Sequence, residues 1–435
     1  MKSTTFAAAL SLIAALPMTA QNSETSIIRQ NYLPERAIII HGSPEKADSS
    51  VIGIFYSREG LDFSDANAPR FLLLDRQGKI AFGIGGSLYA TASYDFDGAI
   101  DGNGFTTYDI PVPLDPSQRQ RFGADASNSS LFLKLVGKSD RLGIFNVYMQ
   151  AKFTGDDGKY GFKLKQAYVS ILNFTAGLTT STFVDAATQA PTIDTQGDCG
   201  QIADKSMLFR YTTPSYKGLS GALSIEIPSA SYTLGTDAQG AYTSKKIAQR
   251  VPDIPLYIQY AWKGGHVRAS AIMRNLSYRN LVDPADGKNH YATCWGTKLS
   301  AIGEIGILKP FGHISYGKGI SAFVNDLSGE GFDLVPGDKP GELTPAASMT
   351  WTVGSYVNFT PKLFATASWS RAQVFDCGHM GADTYRYGMY AAANIFYDFD
   401  DNFRLGAEYL HGWRSNYSGT TGHANRLNLL MQYSF

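Results

Sequence analysis

From Ile80 onward the side chains alternate in character. Ile80, Phe82, Ile84, Gly86, Leu88, Ala90, Ala92, Tyr94 and Phe96 fall on one parity, and Ala81, Gly83, Gly85, Ser87, Tyr89, Thr91, Ser93 and Asp95 on the other. Successive strand side chains point to opposite faces, so this run is one extended strand with an apolar face and a small or polar face. Strands of soluble domains are usually about five or six residues long. The greater length favours a wall that crosses a membrane, where a tilted strand needs about 9–11 residues. The same sidedness recurs over 142 to 153, where Phe145, Val147, Met149, Ala151 and Phe153 oppose Asn146, Tyr148, Gln150 and Lys152. It returns near the end, where Phe403, Leu405, Ala407, Tyr409 and Trp413 oppose Arg404, Glu408 and Arg414.

Composition agrees with such a wall. The 435 residues carry 38 Lys+Arg against 38 Asp+Glu, so no bulk field argues for nucleic acid as a partner. Charged residues are 17%, against about 25% in soluble domains, too few to coat an ordinary water-facing surface. Mean hydropathy is nevertheless −0.15, and no span of about 20 apolar residues is available for a helical membrane bundle. A β-barrel reconciles the two, because only alternate residues meet lipid.

Lys2, the apolar run from Phe6 to Leu16 and the sequence Pro17-Met18-Thr19-Ala20 read as a secretory signal cut after Ala20, which assigns 1–20 to export. Residues 21–77, with Pro34, Pro44 and Pro69, read as a periplasmic lead-in or small cap, and 78–435 as an outer-membrane barrel. Cys199, Cys294 and Cys377 are odd in number and form no CxxC or Cys/His cluster, so unpaired thiols are favoured over a disulfide or a metal site.

Short polar connections at 138–141, 263–265, 360–362 and 400–402 alternate with long ones around 97–125, 183–205, 233–252, 326–345 and 414–424. Outer-membrane barrels carry tight turns on the periplasmic side and long loops outside. The segments count to about sixteen strands, with fourteen or eighteen open, and a barrel of that size has an aqueous lumen. The last strand sets Leu427, Leu429, Met431, Tyr433 and Phe435 against Arg426, Asn428, Gln432 and Ser434. Its aromatic terminus, Phe435, looks like the signal read by the barrel assembly machinery.

Enzyme motifs are absent: there is no HExxH, GxSxG or GxxxxGK[ST], and no cofactor or metal is implied. A barrel enzyme with a Ser/His or Asp/His pair built from strand neighbours leaves little local trace and stays open as a minor reading. Lumen charge carries more. If the oily parity faces lipid, the inward set includes Lys134, Arg210, Arg268, Arg274, Lys298, Arg386, Arg404, Arg414 and Arg426 against Glu226, Glu304, Asp398 and Glu408. Cationic rings attract anions, and guanidinium groups grip carboxylates bidentately. The competing reading is that several of these residues pair with neighbours across the wall.

The stretch 183–205 is too apolar at its start for a solvated loop, and it carries Phe183, Asp185, Pro191, Asp194, Asp198 and Asp204. Loops of this length in a compact fold usually have a function. The elements Leu164-Lys165-Gln166-Ala167-Tyr168-Val169, Ala176-Gly177-Leu178-Thr179, Ser181-Thr182-Phe183-Val184-Asp185, Pro191-Thr192-Ile193-Asp194 and Phe209-Arg210-Tyr211 resemble the DcaP-like trimeric porins of Gram-negative outer membranes. The resemblance covers 164 to 214. It implies a trimer, small anionic substrates such as dicarboxylates, and a constriction folded into the lumen over 183–205, with Asp185 and Asp194 on the loop and Arg210 on the wall behind.

The sequence is therefore read as an all-β outer-membrane porin, passing small hydrophilic solutes with a preference for anions. A channel specific for phosphate or oligosaccharides is the nearer alternative, because Tyr89, Tyr148, Tyr257 and Tyr390 could stack on sugars.

Overall fold

In the computed structural model the described residues are 38–39, 48–57, 63, 65, 71–100, 104–155, 160–282, 288–375 and 380–435. The expected export signal, most of 21–47 and Cys377 lie outside them. Sixteen antiparallel strands close into a barrel. They are β1 (Ile80–Asp97), β2 (Ser130–Ser139), β3 (Gly143–Gly155), β4 (Gly161–Ile171), β5 (Phe174–Thr180), β6 (Lys205–Thr212), β7 (Leu219–Glu226) and β8 (Ile254–Trp262). The second half is β9 (Gly265–Asn280), β10 (His290–Ile302), β11 (Leu308–Lys318), β12 (Ala347–Asn358), β13 (Leu363–Phe375), β14 (Tyr385–Asp398), β15 (Phe403–Asn416) and β16 (Thr421–Ser434). Each pairs with its neighbour in sequence, and β16 returns to β1 with Ser434 opposite Ser87 and Leu429 opposite Ala92. Closure leaves no open edge, so every backbone group within the wall can be paired without water. The terminal residue completes the seam, because the Phe435 and Gly86 backbones exchange hydrogen bonds of 2.9 and 3.0 Å.

The alternation fixes which way each row faces. Ile84, Leu88, Leu427, Leu429 and Met431 are exposed on the outside, whereas Tyr89, Asn428 and Gln432 are buried on the inner side. Exposed aromatics gather near the two strand ends, with Tyr211, Trp262 and Tyr397 at the short-turn end and Tyr291, Phe375 and Trp413 toward the long-loop end. Such girdles sit at the two membrane–water interfaces.

The long connections depart from the expected boundaries in two places. Strands β15 and β16 run on to Asn416 and resume at Thr421, so the connection at 414–424 shrinks to four residues. Within 98–129, the short strand Arg121–Asp125 pairs with β1 above β2 and extends the wall. At the short-turn end Phe71–Leu74 pairs with β1 below the chain terminus. Among the described residues one α-helix of about two turns, α1 (Ser49–Phe55), is capped by the Asp48 carboxylate, which accepts from Ser50 N at 3.0 Å and Val51 N at 3.4 Å. It buries Val51, Ile52 and Phe55 against Leu72, Leu74, Ala81 and Val136. Ala81 and Val136 belong to inward rows, so the helix lies within the barrel mouth.

Candidate functional site

Parts of three long connections, 98–129, 181–204 and 319–346, turn into the barrel and share one apolar core. Ile100, Phe105, Ile110, Phe183, Ile202, Phe323 and Leu327 pack there against wall residues such as Tyr390, Ala392 and Leu410. Phe183 meets Phe323 edge-on, with ring centroids 5.7 Å apart. The wall makes room by omitting side chains: a Cβ at Gly388 would collide with Thr107, and one at Gly412 would collide with Phe105.

The 181–204 loop leaves β5 and crosses to the far wall. Its root is held by Glu226, whose carboxylate accepts from Thr182 N at 2.9 Å and from the Ser224 hydroxyl at 2.7 Å. Asp185 comes next. It lies 2.9 Å from His266 Nε2 and accepts from the Ser300 hydroxyl at 2.6 Å, with an Arg268 guanidinium nitrogen 3.6 Å away. Burial penalises this carboxylate, yet Arg268, His266 and Lys298 outweigh that and hold it well below the usual carboxylate range. At the far wall, Pro191 O accepts from Asn394 Nδ2 at 2.7 Å, and Glu408 accepts from Ile193 N and Asp194 N at 2.8 and 2.7 Å.

Asp194 and Asp198 do not face an open basic wall. Asp194 accepts from Phe105 N at 2.9 Å, from Gln196 N and Gly197 N at 3.1 Å, and from the Tyr390 hydroxyl at 3.1 Å. It acts as a knot tying the loop to 98–129 and to β14, and burial raises its pKa. Asp198 accepts from the Ser368 hydroxyl at 2.8 Å. Burial, reinforced by Asp194, pushes it up to about 7. Asp326, on the third loop, accepts from Thr107 N and the Thr107 hydroxyl, both at 2.6 Å, and burial pushes it up to about 7.

The wall cations divide into two groups. Arg274 is buried between Asp253 and Asp333, at 3.0 Å from each. Arg426 grips Asp95 through two nitrogens at 2.6 and 3.1 Å. Arg404 grips Asp398 at 2.6 and 2.9 Å and lies over the Phe63 ring, which reaches it from the N-terminal segment. Lys298 is buried near Asp185. These four are thereby structural partners of acids, of which Asp253, Asp333 and Asp95 lie 21, 59 and 331 positions from the cations they bind. The second group keeps partial access to water. Arg210 donates to Thr180 O at 3.2 Å. Arg268 stacks 4.2 Å above the Tyr257 ring and donates to Gln259 at 2.6 and 2.8 Å. Arg414 lies over Tyr108 and donates to its carbonyl.

Two expected wall charges lie elsewhere. Arg386 is exposed at the register shift between Tyr385 and Tyr387, where the local bulge turns it away from the inward row. Glu304 sits in the short turn between β10 and β11 and pairs with Lys309 at 3.4 Å. Of the four tyrosines considered for sugar stacking, Tyr89, Tyr148 and Tyr390 are buried. Tyr257 alone of the four is partly exposed, beneath Arg268. Cys199 and Cys294 are free and buried.

The apolar start of 183–205 signalled an inward loop, and Ile320, Phe323, Val324 and Leu327 give 319–346 the same signal. It was there to be read.

Residues 64–215 match the family model for the DcaP outer membrane protein. The outer membrane channel DcaP of Acinetobacter baumannii is similar in fold, with a TM-score of 0.70 at 18% identity, over 83% of this chain and 99% of that one. The outer-membrane expressed OmpT of Vibrio cholerae follows with a TM-score of 0.51 at 11% identity, over 83% of this chain and 100% of its own. Salmonella typhi OmpF, solved in complex with daunomycin, gives 0.50 at 11% identity, over 82% and 98%. Among curated proteins none matches the sequence significantly. The resemblance read from 164 to 214 thus holds, and the chain is a Gram-negative outer-membrane β-barrel of porin architecture, similar to the DcaP outer membrane proteins.

Proposed function

We propose that this porin conducts small hydrophilic solutes by passive diffusion and prefers anions, dicarboxylates among them. One observation supports the preference more than any count of charges. On the inward rows Arg210, Arg268 and Arg414 are partly exposed, and Arg404 shares its exposure with its partner Asp398, whereas Asp95, Glu226 and Glu408 are buried, as are the loop acids Asp185, Asp194 and Asp198. Beside Arg210 and Arg268 a solute therefore meets guanidinium groups rather than carboxylates, while Arg414 shares its surroundings with Asp109 and Glu330, and cationic linings favour anions. Arg268 is the foremost candidate contact, because Gln259, Tyr257 and Val184 O fix its plane while leaving it accessible.

Within the same reading, 1–20 is removed on export, 21–77 precedes the barrel, Phe435 serves assembly, and the protomers form a homotrimer. A trimer is supported by an outer-face cluster that would sit badly in hydrocarbon. Asp97, His423, Asn425, His411 and Tyr409 are hydrogen-bonded or ion-paired to one another on β1, β15 and β16, with Asn425 Nδ2 donating to Asp97 at 2.7 Å. The test is the reversal potential in planar bilayers under a KCl gradient. Wild type should be anion-selective, and Arg210→Ala with Arg268→Ala should bring selectivity to neutrality. A cation-selective wild type would refute the preference and leave the barrel untouched.

A further inference from the structure

Where β7 ends and the chain returns to β8, two acids stand opposite one another. Glu226 and Asp253 form an antiparallel bridge in which each backbone N–H donates to the other's carbonyl, at 2.9 and 3.0 Å. In such a pair the Cα atoms are about 5.5 Å apart and the side chains share one face. Both residues are buried, at 2% and 1% exposure. Like charges directly opposite one another destabilise a strand pair.

Each carboxylate is half used. Glu226 Oε1 accepts from Thr182 N and from the Ser224 hydroxyl, and Asp253 Oδ2 accepts from Arg274 Nε. The other two oxygens, Glu226 Oε2 and Asp253 Oδ1, are buried without a hydrogen-bond donor among the described residues. A buried acceptor that has given up water without gaining a donor is costly. The surrounding charges do not relieve the pair. Arg274 is shared between Asp253 and Asp333. Asp333 and Glu226 both repel charge on Asp253, and Glu226 repels charge on Asp204 at the end of 181–204. Lys205 faces Asp204 from β6, the Cys294 thiol faces Asp253 from β10, and Arg250 lines the outer groove beside Glu226. Burial, against the pull of Arg274, pushes Asp253 up to about 7.

We infer that Glu226 and Asp253 share one proton in the folded porin, and that this proton is a latch at the roots of both inward loops. A hydrogen on Asp253 Oδ1 gives Glu226 Oε2 the donor it lacks and removes one of two opposed charges. Carboxylates forced together commonly keep one proton between them. Two loops depend on the junction. Glu226 holds Thr182 N at the start of 181–204. Arg274, oriented by Asp253, donates to Gly319 O at 2.7 Å and to Asp333 at 3.0 Å on 319–346. Losing the proton sets two negative charges against each other between these anchors. The folded value for Asp253 lies above the roughly 3.9 of an unfolded Asp, so the junction is firmest at low pH and weakens as pH rises through about 7.

The test is amide hydrogen exchange of the full-length protein in detergent at pH 5 and pH 8, normalised to the unfolded-chain rate at each pH. Peptides spanning Thr182 and residues 226–253 should lose about tenfold in protection at pH 8. Glu226→Gln keeps an oxygen for Thr182 N and supplies an N–H to Asp253 where the proton stood. It should match wild type at pH 5 and keep that protection at pH 8. The carboxylic C=O infrared band that wild type loses between the two pH values should shrink by one carboxyl in this variant. Should Glu226→Gln fail to fold, Asp253→Asn makes the same test from the other side. Asp198→Asn should leave the dependence at Thr182 in place. Protection that does not change with pH, a wild-type pH response in Glu226→Gln, or loss of the response in Asp198→Asn would each overturn the proposal. So would protection at constant pH that a calcium chelator abolishes, because a metal ion would then lie between the carboxylates.

Discussion

Glu408 shows what single residues do in this barrel. Its two oxygens accept Ile193 N, Asp194 N, Asn394 Nδ2 and Asn428 Nδ2 at 2.7 to 3.1 Å, so a wall carboxylate anchors loop backbone. Glu408→Ala would orphan two buried backbone donors, at about 1–3 kcal/mol each. The expected result is a folded barrel with a detached 181–204 loop, seen as larger and noisier single-channel currents; an unchanged trace would show that the loop is held elsewhere. Asp198 and Asp326 add a pH dependence. Burial pushes both up to about 7, above the value of an unfolded carboxyl, so the folded loops bind these protons more tightly. Their packing is therefore firmest at low pH and weakens as pH rises toward 7. Asp185 runs the other way and stays ionised throughout this window. Protease cleavage within 181–204 and 319–346 should be faster at pH 8 than at pH 5, and Asp198→Asn should flatten the difference. Faster cleavage at pH 5 would contradict the assignment.

At the level of elements, lipid itself made the strands legible. Hydrocarbon demands an apolar residue at every second position, so β1, β3, β15 and β16 could be traced from alternation alone. The same logic fails for the lumen. Arg426 could be recognised as an inward cation, but its partner Asp95 lies 331 positions away, and nothing in either neighbourhood announces the pair. Loop packing is equally opaque, because Phe105, Phe183 and Phe323 come together without any period to mark them. Helix α1 has only seven residues. So short a helix is marginal by itself and depends on its packing and on the Asp48 cap, which Lys138 supports at 2.7 Å. Each buried apolar side chain contributes about 1.5–3 kcal/mol. Val51→Asp with Phe55→Asp should therefore free α1 from the mouth, raising single-channel conductance while heat-dependent gel mobility stays that of wild type. No rise would mean that the helix does not obstruct the conducting path.

Across the whole molecule, the wall and its filling answer to different forces. The wall is held by a closed ladder of backbone hydrogen bonds in a medium that offers no alternative partner, so local side-chain changes cannot open it cheaply. The filling is an ordinary apolar core, assembled from three connections that would otherwise be solvated loops. A barrel of sixteen strands is wide enough for an open channel, and with 98–129, 181–204 and 319–346 folded inward its conductance should fall well below that of an unfilled cylinder. Phe323 tests this division, because it touches Phe183 on one loop and lies 5.0 Å from the Arg274 guanidinium on the wall. Phe323→Ala removes a fully buried aromatic at a typical cost of about 3–5 kcal/mol. Were the molecule one cooperative unit, that loss would lower the temperature at which the barrel unfolds in detergent. With wall and filling separable, the unfolding temperature should hold while conductance and open-state noise rise and 319–346 becomes protease-sensitive; a lowered unfolding temperature with quiet, unchanged currents would show that the loop core supports the wall after all.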